Sequence, residues 1–174
     1  MRVVFVMIDG LRPDALDLAD TPTLHAIMAR GSRTLTGQSV MPSITLPCHT
    51  SIFHSVPPTR HGITDNTWRP MARPVTGLME TAFDADKRCA FFYNWEELRD
   101  LSRPGSLAYS FMVNAAYQID YGDRLVAEAA ARDLADFDFS FVYLGTVDSA
   151  GHFFGWMSDG YLEQVRRVDA ELAK

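Results

Sequence analysis

Five side chains in the sequence are of types that bind cations or handle a reactive oxygen: Asp9, Thr45, Asn66, Asp148 and His152. Carboxylate oxygen and imidazole nitrogen are ordinary ligands for Zn²⁺ or Mn²⁺. A threonine hydroxyl becomes a useful nucleophile when a base or a metal ion activates it. An asparagine amide can donate a hydrogen bond to a developing oxyanion. Together these residue types suit metal-assisted chemistry at an oxyanion.

The positions of these side chains strengthen the prediction. Asp9 directly follows one strand-like apolar run, and Asp148 and His152 follow another. Thr45 stands just before a predicted helix, whose free N–H groups and positive dipole end suit a phosphoryl oxyanion. Acid, hydroxyl and imidazole are therefore expected at one face, where strands end.

Each residue also has a plainer structural explanation, and the sequence alone leaves the choice open. Asp9 fits an Asp-Gly turn as well as it fits a ligand. Thr45 or Thr50 can simply cap a helix, which is the commoner role for an isolated threonine. Asn66 fits a turn, and His152 fits an exposed position after a strand end.

The predicted elements alternate between strands and helices. Strands are expected at residues 3–8, 88–93 and 139–144, with a weaker candidate at 33–36. Helices are expected at residues 22–30, 48–55, 78–83 and 120–134, as a short helix from Trp95, and as a last helix capped by Ser158 or Asp159. Residues 57–77 and 145–157 are expected to be irregular, and residues 101–117 are ambiguous.

This alternation predicts an α/β fold with a mainly parallel central sheet flanked by helices. No linker divides the chain, so residues 1–174 are expected to form a single domain. Ligands of such folds lie outside the carboxyl ends of the strands. The amphipathic last helix would usually return the chain to another strand, so the fold is expected to be incomplete at its C-terminus.

Composition excludes several classes of protein. The 174 residues carry a formal charge of −6, which argues against binding nucleic acid. No apolar run reaches the length of a membrane span, and no secretory signal is visible at the start. Cys48 and Cys89 fit a reducing compartment, so a cytoplasmic location is expected. Cys48 and His49 also suggest a thiol nucleophile, but a small helix residue and a buried histidine explain them better.

Five segments taken together resemble the alkaline phosphatase superfamily, in particular its type I phosphodiesterase/nucleotide pyrophosphatase branch. Each motif is loose by itself, but their order and spacing are specific. The segments are Val6-Met-Ile-Asp-Gly-Leu-Arg-Pro-Asp14, Thr21-Pro-Thr-Leu24, Met41-Pro-Ser-Ile-Thr-Leu-Pro-Cys-His49, His61-Gly-Ile-Thr-Asp-Asn66 and Val147-Asp-Ser-Ala-Gly-His152. They span nearly the whole chain.

The resemblance implies a two-metal phosphoryl-transfer site that acts on a small phosphate ester. Asp9 and Thr45 would bind one ion, with Thr45 as the nucleophile, and Asp148 and His152 would bind the other. Asn66 would stabilise a non-bridging phosphoryl oxygen. Zinc is the favoured metal, with manganese or magnesium as alternatives. A sulfatase is excluded because Cys48 lacks the Cys-x-Pro-x-Arg signature, and a phosphomutase would need room for an inserted cap domain.

Two departures from the family pattern qualify this expectation. The family adds an Asp-His pair and another His beyond the last helix seen here, so each ion would keep two protein ligands instead of the usual three. Leu46 also stands where nucleotide pyrophosphatases tend to have an aromatic residue. The expected alternative is a truncated, non-catalytic remnant that binds phosphate or a partner, and an uncovered sheet edge would favour homo-oligomers.

Overall fold

Four parallel strands form the centre of the computed structural model, which describes residues 2–174. The strands are β1 (Val3–Ile8), β2 (Cys89–Tyr93), β3 (Tyr109–Met112) and β4 (Phe139–Leu144), and their order in the sheet is β1-β4-β2-β3. The α/β class and the parallel sheet predicted from the sequence are confirmed.

Seven α-helices and three short 3₁₀ helices surround the sheet in the described part of the chain. The α-helices are α1 (Pro22–Arg30), α2 (Thr45–His54), α3 (Pro58–His61), α4 (Leu78–Asp84), α5 (Gly122–Asp133), α6 (Thr146–Phe154) and α7 (Asp159–Leu172). The 3₁₀ helices are Pro13–Asp17, Glu96–Leu101 and Leu134–Asp136.

The sheet separates two hydrophobic cores because successive strand residues point to opposite faces. Phe92 and Val142 face a core shared with α5 and α7. Phe91, Phe141 and Tyr143 face a second core that includes Leu46 and Phe53 from α2 and Met79 from α4. This alternation directs Tyr143 and the beginning of α2 to the same side of the sheet.

Two sequence predictions about elements are wrong, and one region that the sequence left ambiguous contains a strand. Residues 33–36 form no strand, and the largely exposed segment from 31 to 44 lies outside the sheet. The ambiguous region contains β3, whose four residues are too few for a clear pattern. Most of the expected loop at 145–157 is helix α6. Gly151 in this segment is not a turn residue. It makes room for Trp156, because a Cβ at this position would lie 2.5 Å from the indole ring.

Strand β1 is less buried than its composition indicates, since a continuous apolar run is typical of a strand that is buried on both faces. It pairs only with β4 and forms one edge of the described sheet. Val3, Val4 and Val6 are consequently 40%, 43% and 38% exposed. The apolar run predicted the strand correctly, but its composition carries no information about which strands lie at an edge.

Candidate active site

A cavity of about 1030 Å³ opens at the carboxyl ends of β1 and β4. All five candidate residues line it: Asp9, Thr45, Asn66, Asp148 and His152. The sequence prediction that these side chains meet at one rim of the sheet therefore agrees with the structure, while the role of each residue stays a prediction.

Asp9 is held by donors on both carboxylate oxygens. Its Oδ1 accepts the N–H of Gly10 at 3.1 Å, and its Oδ2 accepts the hydroxyl of Tyr143 at 2.6 Å. Tyr143 lies beside Met7 in the β1–β4 ladder, so the phenol reaches the residue just past the end of β1. Burial and the charge of Asp9 raise the pKa of Tyr143 well above its usual value, which keeps the phenol protonated as a donor.

Gly10 brings the two carboxylates of the site close together. Its φ is +72°, and a Cβ at this position would lie 2.6 Å from the Cα of Asp148. Only glycine combines this backbone conformation with so close an approach. Burial raises the pKa of Asp148, and the negative charge of Asp9 raises it further. Two acids that repel each other at a cavity wall form an environment that favours a cation.

Asp148 and His152 lie one turn apart on α6, with Asp148 Oδ2 3.6 Å from His152 Nε2. The imidazole packs edge-on against Trp156, with the ring centroids 5.5 Å apart. Trp156 in turn contacts Tyr161, whose hydroxyl donates to the Gly10 carbonyl at 2.7 Å. The spacing i, i+4 on a helix, and not the expected folded loop, is what directs both side chains to one cavity.

Thr45 is the first residue of α2 and is half-buried. The side chain of Asn66 caps this end of the helix, since its Oδ1 accepts the N–H of Leu46 at 3.0 Å. The contact places Asn66 beside Thr45 and leaves the amide NH₂ group as the part that can donate. Leu46 itself is fully buried in the core and lies outside the cavity lining.

A buried polar network anchors the N-terminus of α6. Asp123 of α5 accepts the backbone N–H and the hydroxyl of Thr146, and it also accepts the Asn94 amide at 2.7 Å. Gln164 of α7 donates to the Thr146 hydroxyl at 2.7 Å. Burial raises the pKa of Asp123 to about 6. The helix that presents Asp148 is therefore fixed to α5 and α7, and through Asp123 to Asn94 just past the end of β2.

The polar side chains at the cavity are of the types that bind divalent ions, but there are few of them. Carboxylate, hydroxyl and imidazole are the groups that zinc and manganese accept. Among residues 2–174, however, no group of three or more His, Cys, Asp or Glu side chains lies close enough to hold a metal ion. The two ligand pairs that the resemblance implies, Asp9 with Thr45 and Asp148 with His152, therefore stay predictions.

Sequence reasoning missed three residues that shape this site. The sequence pattern indicates only that Tyr143 is a core residue of a strand. Its position near the end of β4 could have suggested a contact with Asp9, just past the end of β1. His49 was expected to be buried or hydrogen-bonded, and it is both, but it also lines the cavity. Asp123 gives no local signal, because its hydrogen-bond partners are Asn94, directly after β2, and Thr146, at the start of α6.

The family model for type I phosphodiesterases/nucleotide pyrophosphatases matches residues 3–174. The chain belongs to this family. The resemblance noted from the five sequence segments is thus confirmed. A comparison with curated protein sequences gives no match.

Solved structures of similar fold include relatives of this family and of phosphonate-cleaving enzymes. Murine ectonucleotide pyrophosphatase/phosphodiesterase 5, as an inactive variant in complex with AMP, is 21% identical with a TM-score of 0.78, and the human protein is 19% identical with a TM-score of 0.78. Phosphonoacetate hydrolase from Sinorhizobium meliloti 1021, in complex with phosphonoformate, is 21% identical with a TM-score of 0.72.

Each of these structures is matched over 99% of the present chain. The matched part is 50% of the murine and human proteins and 52% of the hydrolase, so the chain spans about half their length. At sequence identities of 19% to 21%, this structural similarity establishes the fold.

Proposed function

We propose that this protein is a metal-dependent phosphoric ester hydrolase of the phosphodiesterase type, with Thr45 as its nucleophile. The observation that carries the proposal is the convergence of Asp9, Thr45, Asp148 and His152 on one cavity, with Asn66 at the same helix end as the hydroxyl. Family membership over residues 3–174 supports the same reaction class.

Asp9 and Thr45 would contribute to one divalent ion, and Asp148 and His152 to a second. Zinc is the favoured ion, and manganese or magnesium are the alternatives. Bound ions of this kind lower the pKa of a hydroxyl and stabilise negative charge on a phosphoryl group. The close approach of Gly10, the residue after Asp9, to the Asp148 backbone supports a pair of neighbouring ions.

The protein's own groups suggest the order of bond changes. Thr45 Oγ1 would attack phosphorus, and the bond from phosphorus to the leaving alcohol oxygen would break, giving a phosphothreonine. The amide of Asn66 would donate to a non-bridging oxygen as charge develops there. A water molecule would then attack the phosphothreonine, which releases the phosphate product and restores the hydroxyl.

The test is hydrolysis of bis-p-nitrophenyl phosphate by the purified chain and its variants at Thr45. Thr45→Ala is expected to lower turnover by at least about a thousandfold, because no other group replaces a covalent nucleophile. Thr45→Ser keeps the hydroxyl and should retain part of the activity, and circular dichroism controls for folding. Parental turnover in Thr45→Ala contradicts the proposal.

Metal dependence is tested separately by dialysis against a chelator and return of Zn²⁺, Mn²⁺ or Mg²⁺ one at a time. Turnover should fall on chelation and recover with at least one of the ions. Metal content measured on the same samples shows whether the two predicted ligand pairs retain an ion.

The second candidate function is a remnant without catalysis that binds phosphate or a partner. It is supported by the small number of metal-binding side chains that lie together in the described residues. Phosphate binding without hydrolysis of mono- or diesters at any metal concentration would favour it.

Location, partners and domain organisation stay predictions. Both cysteines are free, which is consistent with a reducing compartment. In the described part of the chain no helix combines the length and apolar character needed to cross a bilayer. The small phosphate ester as substrate, the cytoplasmic location, the homo-oligomer and the single domain await experiment.

A further inference from the structure

Tyr161 of α7 is fully buried and does not line the cavity, yet its hydroxyl bonds to the turn that follows Asp9. The hydroxyl donates to the Gly10 carbonyl at 2.7 Å and accepts the N–H of Arg12 at 3.0 Å. Among residues 2–174 neither of these backbone groups has another hydrogen-bond partner. One phenol therefore satisfies two backbone groups that the turn itself leaves free.

The turn that Tyr161 holds lies between the two carboxylates of the site. A Cβ on Gly10 would lie 2.6 Å from the Cα of Asp148, so the backbone of the turn rests directly on α6. Asp9 is the residue just before this contact. A displacement of the turn would therefore change the separation between Asp9 and Asp148.

The ring of Tyr161 reaches the other part of the site through Trp156. The two rings pack with their centroids 5.6 Å apart. The indole lies over Gly151 of α6, where a Cβ would be 2.5 Å from it, and it packs edge-on against the His152 imidazole at 5.5 Å. The hydroxyl of Tyr161 thus bonds to the segment that carries Asp9, and its ring supports the indole beside His152.

The start of α7 fixes the position of Tyr161. Ser158 caps the helix by accepting the N–H of Tyr161 at 3.3 Å. The side chain lies in the apolar core shared with α5 and α7. Because a hydroxyl in such a core is costly unless it is hydrogen-bonded, the two bonds to the turn account for a phenol at this position.

We propose that Tyr161 is a positioning residue that sets the separation between Asp9 and helix α6. Its hydroxyl fixes the turn behind Asp9, and its ring, through Trp156, fixes the face of α6 that carries His152. Two ions that share one phosphoryl group would depend on this separation, and this consequence for catalysis rests on the proposed function. The placement of the turn by the phenol does not.

The placement is tested without metal or turnover by amide hydrogen exchange of the full chain with a chelator present. Tyr161→Phe keeps the ring and removes the hydroxyl, which leaves the Arg12 N–H without its acceptor. We expect this N–H to exchange at least about tenfold faster. The Asp9 N–H, which bonds to the Leu144 carbonyl at 3.0 Å, should stay protected.

Unchanged exchange at Arg12, or equal acceleration at Arg12 and Asp9, would overturn the placement. If Tyr161→Phe does not fold, the parent chain supplies a second measurement. A nuclear Overhauser effect is expected between the Tyr161 ring protons next to the hydroxyl and the Arg12 amide proton, and its absence would contradict the contact.

The role of the ring is tested by Tyr161→Leu, which removes the ring together with the hydroxyl. The imidazole resonances of His152 should shift in this variant and stay in place in Tyr161→Phe, which keeps the contact with Trp156. Tyr161→Met serves as a second variant without the ring. Unshifted His152 resonances in a folded variant without the ring would contradict this part of the proposal.

The consequence for the site is tested by titration with Mn²⁺ or Zn²⁺ and by hydrolysis of bis-p-nitrophenyl phosphate at saturating metal. Tyr161→Phe should weaken metal binding and lower kcat, each about tenfold, with KM unchanged because Tyr161 does not reach the cavity. Tyr109→Phe is the matched control, since its hydroxyl donates to Asp133 at 3.1 Å and it lies outside the cavity.

The Tyr109 variant should lose stability in urea but keep the parental metal affinity and kcat. Equal losses of affinity and kcat in the two variants would indicate a general loss of stability and would contradict the positioning role. If Thr45→Ala retained full turnover, or the parent chain bound no metal, the proposed function would fail. Hydrogen exchange at Arg12 would still decide whether Tyr161 holds the turn.

Discussion

Asp9 owes its orientation to a phenol on the neighbouring strand. The 2.6 Å bond from Tyr143 fixes one carboxylate oxygen, and the Gly10 N–H fixes the other. Partners that hold a ligand in this way commonly change metal affinity by about 10- to 100-fold when they are removed. The phenol therefore belongs to the site although it would not touch the ion.

Tyr143→Phe is accordingly expected to weaken binding of Mn²⁺ or Zn²⁺ by about tenfold or more, because Asp9 loses the donor that orients it. Isothermal titration of the metal into the chelated, dialysed chain measures this. Tyr117→Phe is the matched control, since Tyr117 lines the same cavity but is 62% exposed. Equal affinity in the two variants would show that the bond does not orient Asp9.

The candidate site could be predicted from the sequence only as a set of residue types. Asp9 and Asp148 were identified because each follows a strand-like run, and strand ends meet in a parallel sheet. Tyr143 and His49 were not identified as site residues, because their contacts depend on side-chain direction across the sheet. The approach of Gly10 to Asp148 likewise joins residues from opposite ends of the chain.

Helix α6 depends on a carboxylate that the surrounding elements bury. Asp123 is 3% exposed and receives hydrogen bonds from Asn94 and Thr146. These donors favour the charged form, but burial outweighs them and leaves the pKa at about 6. The attachment of α6, and with it the position of Asp148, is therefore linked to the protonation of Asp123.

The contribution of Asp123 to stability should consequently fall as the pH rises from about 4 to about 6, whereas His49, His54 and His61, whose pKa values burial lowers, contribute in the opposite direction. An unfolded aspartate has a pKa of about 3.9, so in this window the folded chain holds a proton that the unfolded chain has released. With the folded pKa at about 6, the loss amounts to about 3 kcal/mol in the free energy of unfolding. Asp148, whose pKa is also raised, adds to the same trend.

Urea unfolding at several pH values measures this loss. Asp123→Asn should remove the Asp123 contribution from the slope, whereas Asp17→Asn, at an exposed acid without hydrogen-bond partners in the described residues, should leave the slope as it is in the parent chain. A slope that is the same in both variants would assign the pH dependence to other groups.

The prediction of helices and strands succeeded where the local sequence pattern is strong, and it failed where tertiary packing determines the local structure. The three strong apolar runs became β1, β2 and β4, and the capped, amphipathic last helix became α7. Strand β3 and helix α6 were missed. Strand β3 is short and lies at an edge of the sheet. Helix α6 contains Gly151, which is needed there because the Trp156 ring leaves no room for a side chain.

At the scale of the whole molecule, the described sheet has an open side along β1. Its valines are about two-fifths exposed, and its outer backbone groups pair with no strand in residues 2–174. An uncharged, β-branched edge of this kind readily accepts another strand. Self-association in solution is the expected result.

Val4→Lys should reduce this association, because a charge on an edge strand disfavours pairing. Sedimentation velocity over a range of concentrations measures the change. Ile27→Lys on α1 is the control, since Ile27 is also exposed, at 49%, but lies away from the edge. A concentration-independent monomer in the parent chain would contradict the prediction.

The pairing of β1 with β4 has a thermodynamic consequence for any ligand. Asp9 and Asp148 come from nearly opposite ends of the chain and become neighbours only after the first strand has docked against the fourth. A ligand that needs both carboxylates at the site would bind only molecules in which that docking is complete, and its binding free energy would stabilise the whole sheet. Detachment of this N-terminal edge strand would therefore abolish binding even while the remaining strands stay paired.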